Sequence, residues 1–178
     1  MKPPWEKIKS RIVYKNRWIT VFEDMVIRPD RKKGIYGYMD LVPPVGIVTL
    51  TQKHEVILEK QYRYPLKKYL IELPRGLSKK KETMLQAAKR ELHEETGITA
   101  SRWRSLGQGI ASPGLLTEGI HLFLARELFY TSAHPDSDEK IEIMRIPFTR
   151  ALRWTIDGTI NDEMTIVALF RTKVLLKL

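Results

Sequence analysis

The segment that most constrains the fold is a capped amphipathic helix with strand-like sequence on both sides of it. Thr83 and Gln86 match a capping box, in which a hydroxyl and an amide side chain satisfy backbone groups at a helix start. An apolar stripe follows at helical spacing and consists of Leu85, Ala88 and Leu92. Gly97 is a natural left-handed stop. The sequence therefore predicts a helix over residues 84–96.

Before this helix, short runs rich in β-branched and aromatic residues predict strands. They lie at 12–14, 18–22 and 25–28, in a run ending at 38–42, and at 46–50 and 55–59. The last two are joined by polar residues and predict a hairpin in the core sheet. Pro43-Pro44 precedes that hairpin, so we expect a small antiparallel β module over residues 1–42 and a second domain over 43–178.

After the helix, two more strands and two more helices are predicted. The strands lie at 120–125 and 141–146 and the helices at 150–156 and 162–176, with Gly158 ending the first of these helices. Strands thus precede and follow a central helix, and no internal repeat is visible. This order predicts an α+β fold in which helices pack on the faces of the sheet.

Composition excludes several classes of protein. The 178 residues contain no cysteine, which excludes a disulfide framework, a thiolate metal site and a cysteine nucleophile. No apolar run approaches the roughly 18 residues that a membrane-spanning helix requires. The first ten residues contain no apolar stretch of signal-peptide length. We therefore expect a soluble cytoplasmic protein with no membrane partner.

The chain is strongly basic, with 31 Lys and Arg against 21 Asp and Glu and a formal net charge of +10. Such an excess is typical of proteins that bind nucleic acid, acidic lipid or phosphorylated small molecules, and its sign does not separate these partners. The basic runs Arg31–Lys33 and Lys79–Lys81 are short and contain no aromatic residue. They favour solvated loop charge, so we do not expect a nucleic-acid partner.

Three glutamates, Glu91, Glu94 and Glu95, lie on one edge of the predicted helix. Adjacent like charges at this spacing repel by roughly a few tenths of a kcal/mol per pair, so a cation is expected among them. Carboxylate oxygens suit a hard divalent ion, Mg²⁺ or Mn²⁺, which retains water and bridges to substrate phosphate. The three residues by themselves leave open an acidic face balanced by Lys89 and Arg90.

A longer pattern surrounds these glutamates, G-x5-E-x7-R-E-U-x-E-E-x-G-U, in which U is aliphatic. It is formed by Gly76, Glu82, Arg90, Glu91, Leu92, Glu94, Glu95, Gly97 and Ile98. Seven positions demand one residue type, so a chance match at a given start has a probability on the order of 10⁻⁸. The pattern resembles the Nudix box without a departure. The strand order around it is similar to the Nudix α/β/α sandwich with a mixed sheet, along most of residues 42–178.

The resemblance implies cleavage of a nucleoside diphosphate linked to another group, with water attacking one phosphorus of the pyrophosphate. It implies that Mg²⁺ or Mn²⁺ on Glu91, Glu94 and Glu95 neutralises the phosphate oxygens. The structural residues of the box are Gly76, Glu82, Arg90 and Gly97, with Arg90 expected to pair with Glu82 and a helix glutamate. The residue before the box glycine commonly lends its carbonyl to the metal. Here it is Arg75, whose side chain is also a candidate for phosphate binding.

A second pattern, Ser112-Pro113-Gly114 followed by Thr117-Glu118, concerns the substrate. Pro113 lies 16 residues after Gly97, and the pattern resembles both the ADP-ribose and the GDP-mannose pyrophosphatase branches of the Nudix family. The resemblance implies ADP-ribose as first substrate, cleaved to AMP and ribose 5-phosphate, and GDP-mannose as second. Pro113 and Glu118 are then candidates for substrate binding, whereas the residues themselves also fit a simple turn.

Two segments before the box, Tyr62–Pro65 and Ile71–Pro74, match both branches as well. Within the first, Arg63 is the candidate for the terminal ribose or the diphosphate of the substrate. The alternative is a surface arginine on a strand.

A catalytic base is also needed, because the box glutamates donate their lone pairs to metal. The resemblance to the ADP-ribose branch implies that the catalytic base is a glutamate on a loop that precedes a late strand. Here the loop 131–140 enters the strand at Ile141, which makes Glu139 the first choice and Glu142 the second. If Ile141 and Ile143 face inward, Glu142 lies on the outer face of the strand. Glu94 is the choice if neither loop residue acts.

Two other readings remain open: a Nudix-fold module that senses a nucleotide without cleaving it, and an RNA-binding or decapping enzyme. The intact box argues against the first, and only the net charge supports the second. The short strands of the N-terminal module carry aromatic side chains but can hardly enclose a core by themselves. We therefore expect a homodimer in which residues 1–42 form the interface, an arrangement that the ADP-ribose branch also implies.

Overall fold

The computed structural model describes residues 2–117, 119–131 and 141–178. The chain forms two compact units, one made of Met1–Pro43 with Ile110–Gly119 and the other of Pro44–Gly109 with Ile120–Leu178. Each unit contains its own β-sheet. The segment 110–119 thus belongs to the N-terminal unit, although the chain passes through most of the second unit before reaching it.

The N-terminal unit contains an antiparallel sheet, which confirms the predicted β module. Its strands, in the order of the sheet, are β1 (Glu6–Lys15), β2 (Ile19–Ile27) and β3 (Lys33–Leu41). The prediction of two separate strands at 18–22 and 25–28 was wrong, because both runs belong to the single strand β2. Glu23 and Asp24 interrupt the apolar pattern, but Glu23 accepts hydrogen bonds of 2.9 and 2.7 Å from Arg11 on β1, and Asp24 is buried.

The segment 110–119 is hydrogen-bonded to β3 of the same unit. The Met39 amide donates to the Leu115 carbonyl over 2.8 Å, and the Thr117 amide donates to the Met39 carbonyl over 3.1 Å. The Tyr36 hydroxyl donates to the Gly114 carbonyl over 2.9 Å. These bonds fix the backbone at the end of the Ser-Pro-Gly pattern and directly after it.

The second unit consists of a larger sheet and helices. Its strands are β4 (Pro44–Leu50), β5 (Glu55–Arg63), β6 (Lys68–Glu72), β7 (Arg75–Leu77), β8 (Ile98–Gly109), β9 (Ile120–Tyr130) and β10 (Ile141–Pro147). Its helices are α1 (Met84–Thr96), α2 (Phe148–Ile156) and α3 (Glu163–Leu176). A short 3₁₀ turn at Tyr64–Leu66 joins β5 to β6. No helix in the described part of the chain is long and apolar enough to cross a lipid bilayer.

The sheet of this unit is mixed, as the α+β prediction requires. Its main path runs β10-β5-β4-β9-β8, with β6 paired to β5 and β7 paired to β4. Strands β4 and β9 are parallel, and the other pairs are antiparallel. From Val45 to Leu50 every residue of β4 is buried, as expected of a strand covered on both faces.

Helices cover both faces of the sheet, which confirms the predicted sandwich. On one face, Leu92 of α1 belongs to a core cluster with Ile47 and Ile57. On the other face, Leu169 of α3 belongs to a cluster with Val48. Because Ile47 and Val48 are consecutive, they point to opposite faces of β4, so α1 and α3 lie on opposite sides of the sheet.

Candidate active site

Helix α1 begins and ends where the sequence predicts, because the signals at both ends are local. The Thr83 hydroxyl accepts a 3.2 Å hydrogen bond from the Gln86 amide, and the Gln86 side chain accepts one of 2.9 Å from the Thr83 amide. Gly97 has φ +66° and donates its amide to the His93 carbonyl. The helix is therefore fixed in position and in rotation, and with it the glutamates of the box.

Arg90 lies at the centre of the box and contacts three carboxylates. Its Nε and Nη2 donate to the two oxygens of Glu82, both over 2.9 Å. Its Nη1 donates to Glu91 over 2.7 Å and to Glu94 over 2.8 Å. A further bond from Nη2 to the Leu77 carbonyl ties the helix to β7. This geometry is what a structural role for Arg90 and Glu82 requires.

The pKa values of Glu82 and Glu91 shift in opposite directions, because hydrogen bonding dominates at one and burial at the other. Hydrogen bonds from Arg90 lower the pKa of Glu82 from its ordinary 4.5 to about 2. Burial raises the pKa of Glu91, because removing a carboxylate from water penalises its charged form more than Arg90 compensates. Hydrogen bonds to Glu82, Glu91 and Glu94 raise the pKa of Arg90 in turn.

Gly76 provides the space in which the Glu91 carboxylate lies. A Cβ atom added to Gly76 would be 2.1 Å from Glu91 Cδ and 2.4 Å from each of its oxygens. These distances are far below any real contact. The first glycine of the box is therefore required by close packing of a carboxylate against the backbone of β7.

Glu95 is held by the backbone that precedes Gly76. Its side chain is buried, with a relative exposure of 7%, and its Oε2 accepts a 3.0 Å hydrogen bond from the Arg75 amide. Glu91, Glu94 and Glu95 thus differ in their surroundings: one carboxylate packs on glycine, one pairs with Arg90 at the half-exposed edge, and one binds a main-chain amide. Glu91 and Glu95 contact β7 directly, whereas Glu94 is linked to it through Arg90, which donates to the Leu77 carbonyl.

The donor set fits the divalent cation that the box implies. The three glutamates offer only oxygen donors, which Mg²⁺ and Mn²⁺ prefer, and two of them are oriented by fixed backbone. Within residues 2–117, 119–131 and 141–178, no three His, Cys, Asp or Glu side chains already stand together at metal-binding distance. The Arg90 guanidinium instead lies between Glu91 and Glu94 and supplies the positive charge there.

Arg63 and Arg75 meet at a buried carboxylate that has no assigned role in the sequence prediction. Glu72, with a relative exposure of 1%, accepts hydrogen bonds of 3.0 and 2.6 Å from Arg63 and lies 3.0 Å from Arg75 Nε. Arg75 Nη1 donates to Asp162 over 3.1 Å. Any phosphate contact of the Arg75 side chain would compete with these two carboxylates.

Asp162 and Glu72 are the residues of this site that sequence reasoning missed. Glu72 stands in a segment that matches the two branches, but nothing local distinguishes it from a surface glutamate of a strand. Asp162 is separated from Arg75 by 87 residues. Only its position at the start of a predicted helix, where it caps α3 through the Thr165 amide, was readable.

The predicted orientation of β10 was wrong. Ile143 is 43% exposed, whereas Ile146 is buried, and Met144 packs against the same core cluster as Ile146. Strand β10 carries apolar residues on both of its faces, so its sequence alone does not reveal which face is inner. Alternation places Glu142 on the side of Met144 and Ile146, which is the side of α3.

Glu142 is therefore not brought toward the box. It is opposite Lys60 in the ladder, and its carboxylate lies 3.5 Å from the Lys60 ammonium with 68% of the side chain exposed. The sheet separates it from α1. Glu139, the first choice for the base, and Glu118 lie outside the described residues. Pro113 is exposed and belongs to the N-terminal unit, whereas the box belongs to the other.

Comparison with known proteins agrees with this geometry. Residues 40–163 match the model of the NUDIX domain, and residues 5–39 match that of the nucleoside diphosphate sugar hydrolase N-terminal domain. The ADP-ribose pyrophosphatase of Bacillus subtilis is 30% identical over 95% of this chain and 93% of its own length. The methanol dehydrogenase activator of Bacillus methanolicus is 29% identical over 90% of this chain and 88% of its own length.

A GDP-mannose pyrophosphatase of Escherichia coli is 33% identical over 67% of this chain and 66% of its own length. A solved structure described as an ADP compounds hydrolase superposes with a TM-score of 0.86, covers 97% of this chain and 94% of its own, and is 24% identical. That likeness shows the fold. Since the domain model spans both the box helix and the sheet that carries it, the chain belongs to the Nudix hydrolase family.

Proposed function

We propose that this protein hydrolyses ADP-ribose to AMP and ribose 5-phosphate in a Mg²⁺-dependent reaction. The observation that carries the proposal is the complete box on α1, in which Glu91 and Glu95 contact β7 and Glu94 shares Arg90 with Glu91. The ADP-ribose pyrophosphatase of Bacillus subtilis, which is similar over nearly the whole chain, supports the choice of substrate. Mn²⁺ is the other ion that the same oxygen donors accept.

The three box glutamates and the Arg75 carbonyl are the proposed metal ligands. When bound there, Mg²⁺ neutralises the oxygens of the pyrophosphate so that a nucleophile can approach the phosphorus. Arg90 keeps Glu91 and Glu94 in place through its hydrogen bonds to both, and its pair with Glu82 fixes the guanidinium itself.

The remaining roles concern the attacking water and the substrate. Glu139 takes the proton of that water, and Glu94 replaces it if the loop residue does not act. Glu142, on the other side of the sheet, is no longer favoured. Arg63 is proposed to bind the terminal ribose or the diphosphate, since 28% of its side chain is exposed.

GDP-mannose is the second candidate substrate. The Ser112-Pro113-Gly114 segment with Glu118 resembles both branches, and a GDP-mannose pyrophosphatase is among the similar proteins. We also propose a homodimer built through the N-terminal module. The cytoplasmic location stays a prediction from the sequence.

A panel of nucleotide sugars tests the proposal. Alkaline phosphatase releases inorganic phosphate from AMP and ribose 5-phosphate but not from an intact pyrophosphate diester, so coupled phosphate release reports cleavage. We expect ADP-ribose to give the highest kcat/KM, the reaction to require Mg²⁺ or Mn²⁺, and chromatography to show AMP. A higher kcat/KM for GDP-mannose would select the second candidate. No cleavage of any member with either ion would contradict both.

A further inference from the structure

The short segment between β6 and β7 is held from three directions by residues distant in sequence. The Leu73 amide donates to the Thr165 hydroxyl on α3 over 3.0 Å. The Pro74 carbonyl accepts from the Ile47 amide on β4 over 2.9 Å, and the Arg75 amide donates to Glu95 on α1 over 3.0 Å. The orientation of the Glu95 carboxylate therefore depends on where this backbone lies.

The Arg75 side chain also attaches this segment to the start of α3. Its guanidinium joins Glu72, the last residue of β6, to Asp162, the N-cap of α3. Asp162 uses its two oxygens for different partners, because Oδ1 accepts from Arg75 whereas Oδ2 accepts from the Thr165 amide and hydroxyl over 2.8 and 2.6 Å. The bond to Arg75 is thus separable from the capping bonds.

Most charged side chains in this cluster are paired with an opposite charge within the same cluster. Glu72 keeps Arg63 as a second guanidinium partner, so removal of Arg75 does not leave that buried carboxylate without a cation. Removal of Arg75 takes away the ion pair with Asp162 as a link from the segment 73–75 to α3, whereas the Leu73 bond to Thr165 remains. Binding two carboxylates at once requires the several N–H donors of a guanidinium, because a lysine ammonium is a single point charge.

We propose that Arg75 is a positioning residue for the metal site, acting through its own backbone on Glu95. Its side chain, anchored to Glu72 and Asp162, holds the Arg75 amide where it orients the Glu95 carboxylate. This inference rests on the proposed function, in which Glu95 is a metal ligand. It assigns to the side chain a role different from phosphate binding.

Three variants separate this role from general stability. Arg75→Ala removes the whole anchor, and Arg75→Lys keeps the charge but not the fork. Asp162→Asn removes the charge partner while its side-chain oxygen still caps α3 at Thr165. Arg145→Ala is the matched control, since it removes an ion pair of the same unit, between β10 and β5, whose partner Glu55 is not part of the box.

The readout is Mn²⁺ affinity of the substrate-free protein, measured by electron paramagnetic resonance of free Mn²⁺ and by calorimetry. Groups that orient metal ligands typically change affinity by about 10- to 100-fold when they are removed. We expect Arg75→Ala and Asp162→Asn to weaken Mn²⁺ binding about 10-fold, Arg75→Lys to recover part of the loss, and Arg145→Ala to bind as the wild type does. Melting temperatures without metal identify variants that have simply lost stability.

Each outcome is decisive. Wild-type Mn²⁺ affinity in folded Arg75→Ala, or in Asp162→Asn where Arg75→Ala does not fold, would overturn the positioning role. A loss of activity in Arg75→Ala through KM for ADP-ribose, with Mn²⁺ affinity unchanged, would overturn it in favour of direct phosphate binding. If the wild type neither binds Mn²⁺ nor cleaves any nucleotide sugar, the proposed function fails, and the inference fails with it.

Discussion

At the scale of single residues, the box works because each charged side chain has a defined partner. Arg90 binds Glu82 through one edge of its guanidinium and the helix glutamates Glu91 and Glu94 through the other. One carboxylate is thereby kept ionised far below neutral pH, while burial makes its neighbour Glu91 harder to ionise. Glu82 is thus an anchor for Arg90, and its contribution should be visible in stability.

Replacement of Glu82 by Gln should destabilise the protein by about 2 kcal/mol at neutral pH, the scale of a hydrogen bond to a charged group. The pKa of Glu82 is about 2 in the folded state and 4.5 ordinarily, so the folded state binds the proton less tightly. Its stabilisation is fully present above about pH 4.5 and is lost as the pH falls toward 2.

Urea denaturation of wild type and variant at several pH values measures this effect. The difference in unfolding free energy should be smaller at pH 3 than at pH 7. A difference that does not change with pH would show that the lost hydrogen-bond geometry, not the ionised carboxylate, matters.

The identity of the base is the second question at this scale. Glu139→Gln should lower kcat by about 10²- to 10⁴-fold with little change in KM, because a general base contacts the attacking water and not the ground-state substrate. Glu142→Gln is the matched control and should keep nearly wild-type kcat, because the sheet lies between Glu142 and α1.

Steady-state kinetics with ADP-ribose and saturating Mg²⁺ decides between them. An inactive Glu142→Gln beside an active Glu139→Gln would mean that the strand side assigned to Glu142 is not the one that matters in catalysis. If both variants stay active, Glu94 becomes the base.

At the scale of elements, the predictions succeeded where the signals are local and failed where they depend on partners. Helix α1 was predictable because Thr83, Gln86 and Gly97 act within one turn of its ends. Strand β8 was not predicted, because its sequence is polar, it lies at the edge of the sheet, and a register shift between Ser105 and Gly107 breaks its alternation. The predicted orientation of β10 was wrong because the strand carries apolar residues on both of its faces.

The contact between β7 and α1 gives a prediction for these two elements. In Gly76→Ala, the new methyl group would occupy the space of the Glu91 carboxylate, which must turn away and leave Arg90. We expect Mn²⁺ affinity and kcat/KM to fall by about 10- to 100-fold, as for other groups that set ligand orientation. The fold should survive, because a flexible side chain can move where backbone cannot.

Gly37→Ala is a suitable control for this variant. Among the described residues, a Cβ atom at Gly37 would meet the Phe22 carbonyl alone, at an ordinary 3.9 Å. Circular dichroism and Mn²⁺ titration of both variants measure the difference. Equal metal affinities in Gly76→Ala and the wild type would remove Glu91 from the proposed ligands.

At the scale of the whole molecule, the N-terminal sheet supports the predicted dimer. Every residue of β1 is exposed, including the large apolar side chains of Ile8, Ile12 and Tyr14. Apolar surface of this extent on an edge strand is commonly covered by another chain. Light scattering at micromolar concentration should therefore give a mass of twice 20.8 kDa.

The variant Ile12→Lys should shift this equilibrium toward the monomer, because a charge on an edge strand opposes strand pairing. Ile156→Lys is the control, since Ile156 is also an exposed isoleucine but lies at the end of α2 in the other unit. A wild-type monomer at micromolar concentration would contradict the proposed assembly. The sequence predicts an interface in residues 1–42 from their aromatic side chains, but the exposed face of β1 becomes visible only in the folded sheet.

The N-terminal unit is built from two separated stretches of chain, and this has a consequence for synthesis on the ribosome. Residues 1–43 leave the exit tunnel before residues 110–119, and β3 forms its hydrogen bonds with Leu115 and Thr117 only after α1 and β8 have been made. The N-terminal sheet therefore stays incomplete, with apolar side chains exposed, while the ribosome translates more than seventy further residues. A nascent chain stalled before Ile110 should be a better substrate for chaperones than one stalled after Gly119.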